Sequence, residues 1–290
     1  MPFVRRADDQ QTWPMQRRFA QVDVFSQQRY LGNSLAVVVD GEGLDSTEMQ
    51  RFARWTNLAE TTFLLAPSNP AADYRVRIFT PGAELPFAGH PTLGSAHAWL
   101  VNGGTPRRPD AIVQECGVGL VTVRREGDAL SFAAPPLLRG GPADDATLQQ
   151  AADALGIDQS AIVDARWADN GPGWLAVLLQ SADDVLALRP GTTPLSIGVA
   201  GPHPAGSAFA YEVRVFFSEN GTTVEDPVTG SLNASMAQWL IGTGRMTTPY
   251  LVSQGTAIGR AGVVRITTDD SGGVWVGGHV TTCIAGTVEL

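Results

Sequence analysis

The feature that most constrains the fold is an internal repeat close to half the chain's length. Tyr74-Arg-Val-Arg-Ile-Phe79 returns 137 residues later as Tyr211-Glu-Val-Arg-Val-Phe216. Both hexapeptides alternate as half-buried strands do. Behind the first come His90-Pro91, Gly94-Ser95 and Ala98; behind the second, at an offset of 136, come Asp226-Pro227, Gly230-Ser231 and Ala234. Trp99-Leu100 then matches Trp239-Leu240 at an offset of 140. That slip is about one helical turn, so the second helix is expected to be one turn longer. Strand, loop and helix repeated in one order argue for two lobes built on one unit, whereas a solenoid would show several shorter periods.

The helical segments Thr92 to Leu100 and Ser231 to Leu240 have little polar face. A helix that is apolar nearly all round is buried, so each lobe is expected to wrap a curved sheet about a central helix, in the α+β class. Further strands are expected near Leu35-Val39, Val118-Arg124, Val213-Phe217, Gly262-Thr267 and Gly273-Gly277. Further helices are expected over Ser46-Trp55, opened by a Ser cap, and Asp145-Leu155, opened by Asp. Pro135 and Pro136 break the chain after a strand and mark the crossing between lobes. The expected division is a flexible extension over 1–18, a first lobe over 19–132 completed by a terminal strand at 278–290, and a second lobe over 133–277.

Composition removes several chemistries. All twenty basic residues are Arg, so a Schiff-base lysine, a pyridoxal enzyme built on one and a Walker-type phosphate loop are excluded. A formal charge of −9 and the absence of a long basic run make nucleic acid and anionic membranes poor partners. A small anion is still accommodated where helix N-termini gather. Cys116 and Cys283 are far apart and outside any CxxC spacing, so neither a disulfide framework nor a zinc site is indicated. The first eighteen residues hold no apolar stretch of signal-peptide length, and no 18-residue apolar run occurs elsewhere. A cytoplasmic location is expected.

Three segments place acid–base groups beside elements: Asn57-Leu-Ala-Glu60-Thr-Thr-Phe63, Leu85-Pro-Phe-Ala-Gly-His90-Pro-Thr-Leu-Gly94 and Val224-Glu-Asp226-Pro-Val-Thr-Gly-Ser231. Together, and in this order, they resemble the signature segments of the PhzF family of phenazine-biosynthesis isomerases. Gly32-Asn33 near the start and Gln254-Gly255 with Gly259-Arg260 near the end also fit, so the resemblance runs from about Phe19 to Leu290.

The resemblance implies a diaminopimelate epimerase-like architecture, two pseudo-symmetric lobes around a cleft, with Glu60, His90 and Asp226 facing one another as the catalytic residues. It implies that Asn33, Gly89, Gly94, Gly230 and Ser231 hold substrate, that no metal or cofactor is used, and that the chain forms a homodimer. The implied reaction moves a proton between ring carbons of a dihydro-hydroxyanthranilate, with Glu60 as the shuttle. An ordinary Glu is too weak a base, so a dry cleft must raise its pKa, with Leu58, Ala59, Phe63 and Phe87 as its apolar neighbours. In related epimerases two thiols stand where His90 and Asp226 stand here, so two-thiol racemisation is not expected. Alternatives are an epimerase or pericyclic-type catalyst on another small acid, and a ligand-binding relative without catalysis. His97, His203 and His279 are read as structural, Glu84 and Glu225 as loop braces, and Asp226 also as a helix N-cap. Ala59, Ser34 and Leu232 depart from the family pattern, in which Ser, Pro and a smaller residue are usual.

Overall fold

Strands outnumber helices, and the elements repeat in order as the sequence does. The computed structural model describes residues 15–219 and 221–290. The first half runs β1 (Gln16–Val24), β2 (Asn33–Val38), α1 (Ser46–Thr56), β3 (Glu60–Leu65), β4 (Tyr74–Phe79), β5 (Glu84–Leu85), α2 (Gly89–Val101), β6 (Ala111–Cys116), β7 (Gly119–Glu126) and β8 (Ala129–Ala133). After β9 (Arg139–Pro142) and α3 (Asp145–Leu155) the same order returns. It reads β10 (Asp164–Asp169), β11 (Trp174–Leu178), α4 (Ala182–Ala187), β12 (Ser196–Pro202), β13 (Tyr211–Glu219), β14 (Thr222–Glu225), α5 (Gly230–Gly242), β15 (Tyr250–Gln254), β16 (Gly262–Thr268) and β17 (Val274–Glu289).

Parallel pairs fall at matching places. β2 pairs with β3 across α1 and β4 with β6 across α2; β11 pairs with β12 across α4 and β13 with β15 across α5. Strands β1, β2, β3, β4, β6, β7, β8 and β17 pair successively and return to β1, closing a ring. Helix α2 packs inside it, with Leu93, Ala96 and Ala98 fully buried. The other strands continue the ladder from β17 through β16 around α5. β17 therefore belongs to both arrangements: Val274 to Gly277 pair with β16, Trp275 to His279 with β8, and Val280 to Glu289 with β1.

Several sequence expectations are corrected here. The two central helices are equal, at thirteen residues each. The slip lies ahead of the helix: β13 and β14 have nine and four residues where β4 and β5 have six and two. Gly230-Ser231 thus corresponds to Gly89-His90 at the start of a helix, and Gly94-Ser95 lies mid-helix.

The expected extension over 1–18 falls outside the described residues as far as 14, but Gln16, Arg17 and Arg18 belong to β1. Arg17 is buried and donates to the carbonyls of Asp40 and Glu42, which fixes the strand's start.

Ser46 is not the cap of α1. Asp45 accepts from Thr47 N and Glu48 N, and Glu48 reaches back to Asp45 N, a reciprocal capping box closed one residue ahead of Ser46. Likewise Asp144, not Asp145, caps α3.

Candidate active site

Parallel pairing places the starts of β2 and β3 side by side, with Leu35 opposite Glu60. Asn33 opens β2 and Glu60 opens β3. Just ahead, Asn57 ends α1 with φ 54, a left-handed turn that Asn tolerates, and directs the chain into β3. His90 is the second residue of α2, after the extended residue Ala88. Asp226 leaves β14 with its amide bonded to the Val215 carbonyl.

These groups meet. His90 Nε2 stands 3.2 Å from Glu60 Oε2, their side chains only 8% and 16% exposed. Asn33 Nδ2 lies 3.4 Å from His90 Nδ1 and donates to Asp226 Oδ1 at 3.0 Å and to the Val228 carbonyl at 2.9 Å. Glu60, His90, Asn33 and Asp226 thus form one continuous polar row. Its far end is held by Thr229, whose hydroxyl donates to Asp226 Oδ2 at 2.5 Å, and by Gln254, which donates to the Asp226 carbonyl and to Thr229 Oγ1. Asp226 is therefore not the N-cap of α5. Thr229 holds that position, and Asp226 spends its oxygens on side chains.

Although close, the Glu60 and His90 atoms are misaligned for a hydrogen bond, and both are buried without another partner. Buried polar atoms are rarely left so, and such a pair is what a site that completes its bonds with a ligand presents. Burial pushes the Glu60 carboxyl up to about 8, with further push from the charges of Asp226 and Glu219. Burial also pulls His90 down to about 3, so its ring is neutral, and raises Asp226 against the bonds from Thr229 and Asn33. At neutral pH the row holds Glu60 protonated beside an uncharged imidazole.

Helices α2 and α5 meet end to end. A Cβ built on Gly89 would lie 3.5 Å from Gly230 Cα and 2.6 Å from the Phe132 ring; one built on Gly230 would lie 3.5 Å from Gly89 Cα and from His90 N. Neither helix has a side-chain cap bond. Two sets of first-turn N–H groups and two positive helix ends therefore converge beside the row, an arrangement that attracts a carboxylate.

The remaining sequence candidates separate. Ser231 is at this junction, its hydroxyl accepting from Trp174 Nε1 at 3.0 Å and its carbonyl from Asn170 at 2.8 Å. Gly94 is not: a Cβ there would strike Leu35, Val24 and Val22, so this glycine lets α2 pack on β1 and β2. Asn33 is a brace whose amide donors are taken by Asp226 and Val228. Phe63 faces away, stacking edge-on with Phe52 and Phe79 under α1, because strand alternation puts it on the opposite side from Glu60. Ala59 is exposed. The apolar side of the helix junction is Phe132, which contacts Phe87 edge-on at 5.8 Å and touches the positions of both junction glycines. Nothing in the sequence near Phe132 signals this. Leu232, larger than the family's usual residue, fits because Gly198 leaves it room. Gly255, at φ 91, lets Gln254 turn in towards Asp226; a Cβ there would meet the Pro227 carbonyl at 2.7 Å. Arg260 donates to the carbonyls of Tyr30 and Gly32, steadying the turn ahead of Asn33.

Among the described residues no group of three or more His, Cys, Asp and Glu is placed to hold a metal, and no helix is long and apolar enough to cross a membrane. Cys116 ends β6 and Cys283 lies on β17.

The α+β fold, mostly strand with few helices, is that of PhzF and proline racemase-like structures. The chain belongs to the phenazine biosynthesis-like (PhzC-PhzF) protein family, whose model matches residues 22–286. It is 37% identical to "Antisense-enhancing sequence 1" of Schizosaccharomyces pombe, over 92% of this chain and 97% of that one. It is 35% identical to trans-2,3-dihydro-3-hydroxyanthranilate isomerase of Pseudomonas fluorescens, over 82% of this chain and 86% of that one. The crystal structure of a PhzF family protein of Bacillus anthracis is similar at a TM-score of 0.80 and 22% identity, covering 95% of this chain and 100% of that one. Such relatives support an isomerase.

Proposed function

We propose that this chain is a cofactor-independent isomerase that relocates a proton on a small carboxylate, with Glu60 as the acid–base group. The observation that carries this reading is the orphaned Glu60–His90 pair beside two uncapped helix ends. The substrate's carboxylate lies between the N–H groups of Gly89, His90, Gly230 and Ser231, which aims its ring at Glu60. Ionised Glu60 removes a proton from one ring carbon; the freed electron pair moves through the ring's double bonds, and Glu60 returns the proton at another carbon. No electron is gained or lost overall, so no redox partner is needed. Neutral His90, with Nε2 3.2 Å from Glu60 Oε2, adds no charge beside Glu60 as the proton is taken and returned. Asp226, held by Thr229 and Asn33, faces the substrate's polar groups. A carboxyl poised near neutrality suits a group that must both take and give a proton. In this reading the two strand-wrapped helices are two lobes, residues 16–132 with 278–290 and residues 133–277, and the assembly is a homodimer.

A dihydro-hydroxyanthranilate is the substrate we propose, by likeness to the isomerase of Pseudomonas fluorescens. Incubation with it in D₂O, following each ring carbon by NMR, tests the reading. Deuterium is expected at a new carbon, and Glu60→Gln is expected to abolish its appearance while changing affinity less than about tenfold. Unchanged label transfer in that variant would remove Glu60 from the role.

A further inference from the structure

Two ion pairs outside the polar row repeat each other across the duplication. Arg77 on β4 donates through Nε and Nη2 to both oxygens of Glu84 on β5, at 2.7 and 2.6 Å, with its guanidinium 5.1 Å from the centre of the Phe79 ring. Arg214 on β13 donates in the same way to both oxygens of Glu225 on β14, at 2.9 and 2.7 Å, and lies 4.9 Å from the Phe216 ring. Each fork clamps the hairpin that leads into a central helix.

Their settings differ. The Arg77 and Glu84 side chains are 23% and 41% exposed, and the spare donor reaches the Ser46 hydroxyl. Those of Arg214 and Glu225 are 6% and 12% exposed, and Arg214 Nη1 donates to the carbonyls of Val185 and Leu188 at the end of α4. Glu225 is also bonded in sequence to Asp226, whereas Glu84 stops six residues short of His90. A buried ion pair adds little net stability, because desolvation offsets the attraction. What a bidentate fork with further carbonyl bonds supplies is fixed geometry.

We propose that the Arg214–Glu225 fork is a positioning device for the acid–base row: it fixes the Asp226 carboxylate against Asn33, and through it the charge that Glu60 faces. His90 from α2 stands 3.2 Å from Glu60, and the charges of Asp226, in the turn before α5, and of Glu219, at the end of β13, act on it. If the fork is lost, the turn at Asp226 relaxes and its charge moves away from Glu60. The catalytic consequence rests on the function proposed above; the titration does not.

The test is a pH titration by NMR of protein labelled with carboxyl-¹³C glutamate, with the Glu60 signal assigned by its loss in Glu60→Gln. In the unaltered chain Glu60 is expected to titrate at about 8. The double variant Arg214→Met/Glu225→Gln leaves no orphan charge, and in it the proton affinity of Glu60 is expected to fall about tenfold. The pH profile of turnover should move to lower pH by the same amount. The matching variant Arg77→Met/Glu84→Gln is expected to leave the Glu60 midpoint in place. If the Arg214 pair proves necessary for folding, Arg214→Lys, which keeps the charge but cannot form the fork, takes its place. An unmoved Glu60 midpoint, or an equal shift in both double variants, overturns the positioning role. A Glu60 that titrates as an ordinary carboxylate in the unaltered chain instead overturns the proposed acid–base function, so the two failures are distinguishable.

Discussion

Glu60 and His90 show how a residue's surroundings decide its chemistry. From about the ordinary carboxylate range up to about 8, the folded chain keeps a proton on Glu60 that the unfolded chain has released. Stability attributable to Glu60 therefore declines as pH rises through that window and is lowest above it. Glu60→Gln, which removes the ionisation, is expected to be the more stable protein at about pH 9 by a few kcal/mol, on the order set by the shift, and equal to the unaltered chain below about pH 4. Denaturant melts at the two pH values check this, and a difference that does not vary with pH would contradict the raised carboxyl. His90 works in the opposite sense. Buried and neutral in the fold, it leaves the unfolded chain to bind the proton, so stability is lost as pH falls from about 6.5 towards about 3. The types of these residues and their order along the chain were legible in the sequence. Their proton affinities were not, because desolvation depends on neighbours brought in from distant stretches of the chain.

At the scale of elements, the junction of α2 and α5 makes separable demands on its two glycines. A methyl at Gly230 would meet its neighbours at 3.4 to 3.5 Å, ordinary contact, whereas a methyl at Gly89 would lie 2.6 Å from the Phe132 ring. Gly230→Ala is therefore expected to fold with a loss under about 1 kcal/mol yet to bind the carboxylate at least about tenfold more weakly, since the methyl projects into the gap between the helix ends. Gly89→Ala is expected to lose stability as well, about 1–3 kcal/mol from overpacking. Calorimetry of ligand binding and thermal melts distinguish the two. The helices themselves were readable from their lack of a polar face, but their starts were not. Matching Gly94-Ser95 to Gly230-Ser231 gave a false register, because the extra residues sit in the β13–β14 hairpin, where a strand pattern continues without a break. Ser46 has the chemistry of a cap, but Asp45 and Glu48 close on each other one residue earlier, a contact that only the folded backbone shows.

At the scale of the whole molecule, β17 pairs with β1, β8 and β16, so neither half has a complete sheet without it. The chain is accordingly expected to unfold in one transition, with far-ultraviolet circular dichroism and tryptophan fluorescence coinciding. Trp55 and Trp99 report on the first half and Trp167, Trp174 and Trp239 on the second. Two separate midpoints would show that the halves do not depend on the shared strand. The sequence by itself determined the duplicated unit, the two apolar helices and the polar residues placed near their starts, because periodicity, composition and motif order are local properties. Only the tertiary structure decided that Asn33 bonds Asp226, 193 residues away, that Phe132 seals the junction, and that Gly94 belongs to the core. Those contacts follow from strand register and ring closure, and a side chain's partner across the fold is fixed by register, which no stretch of sequence carries alone.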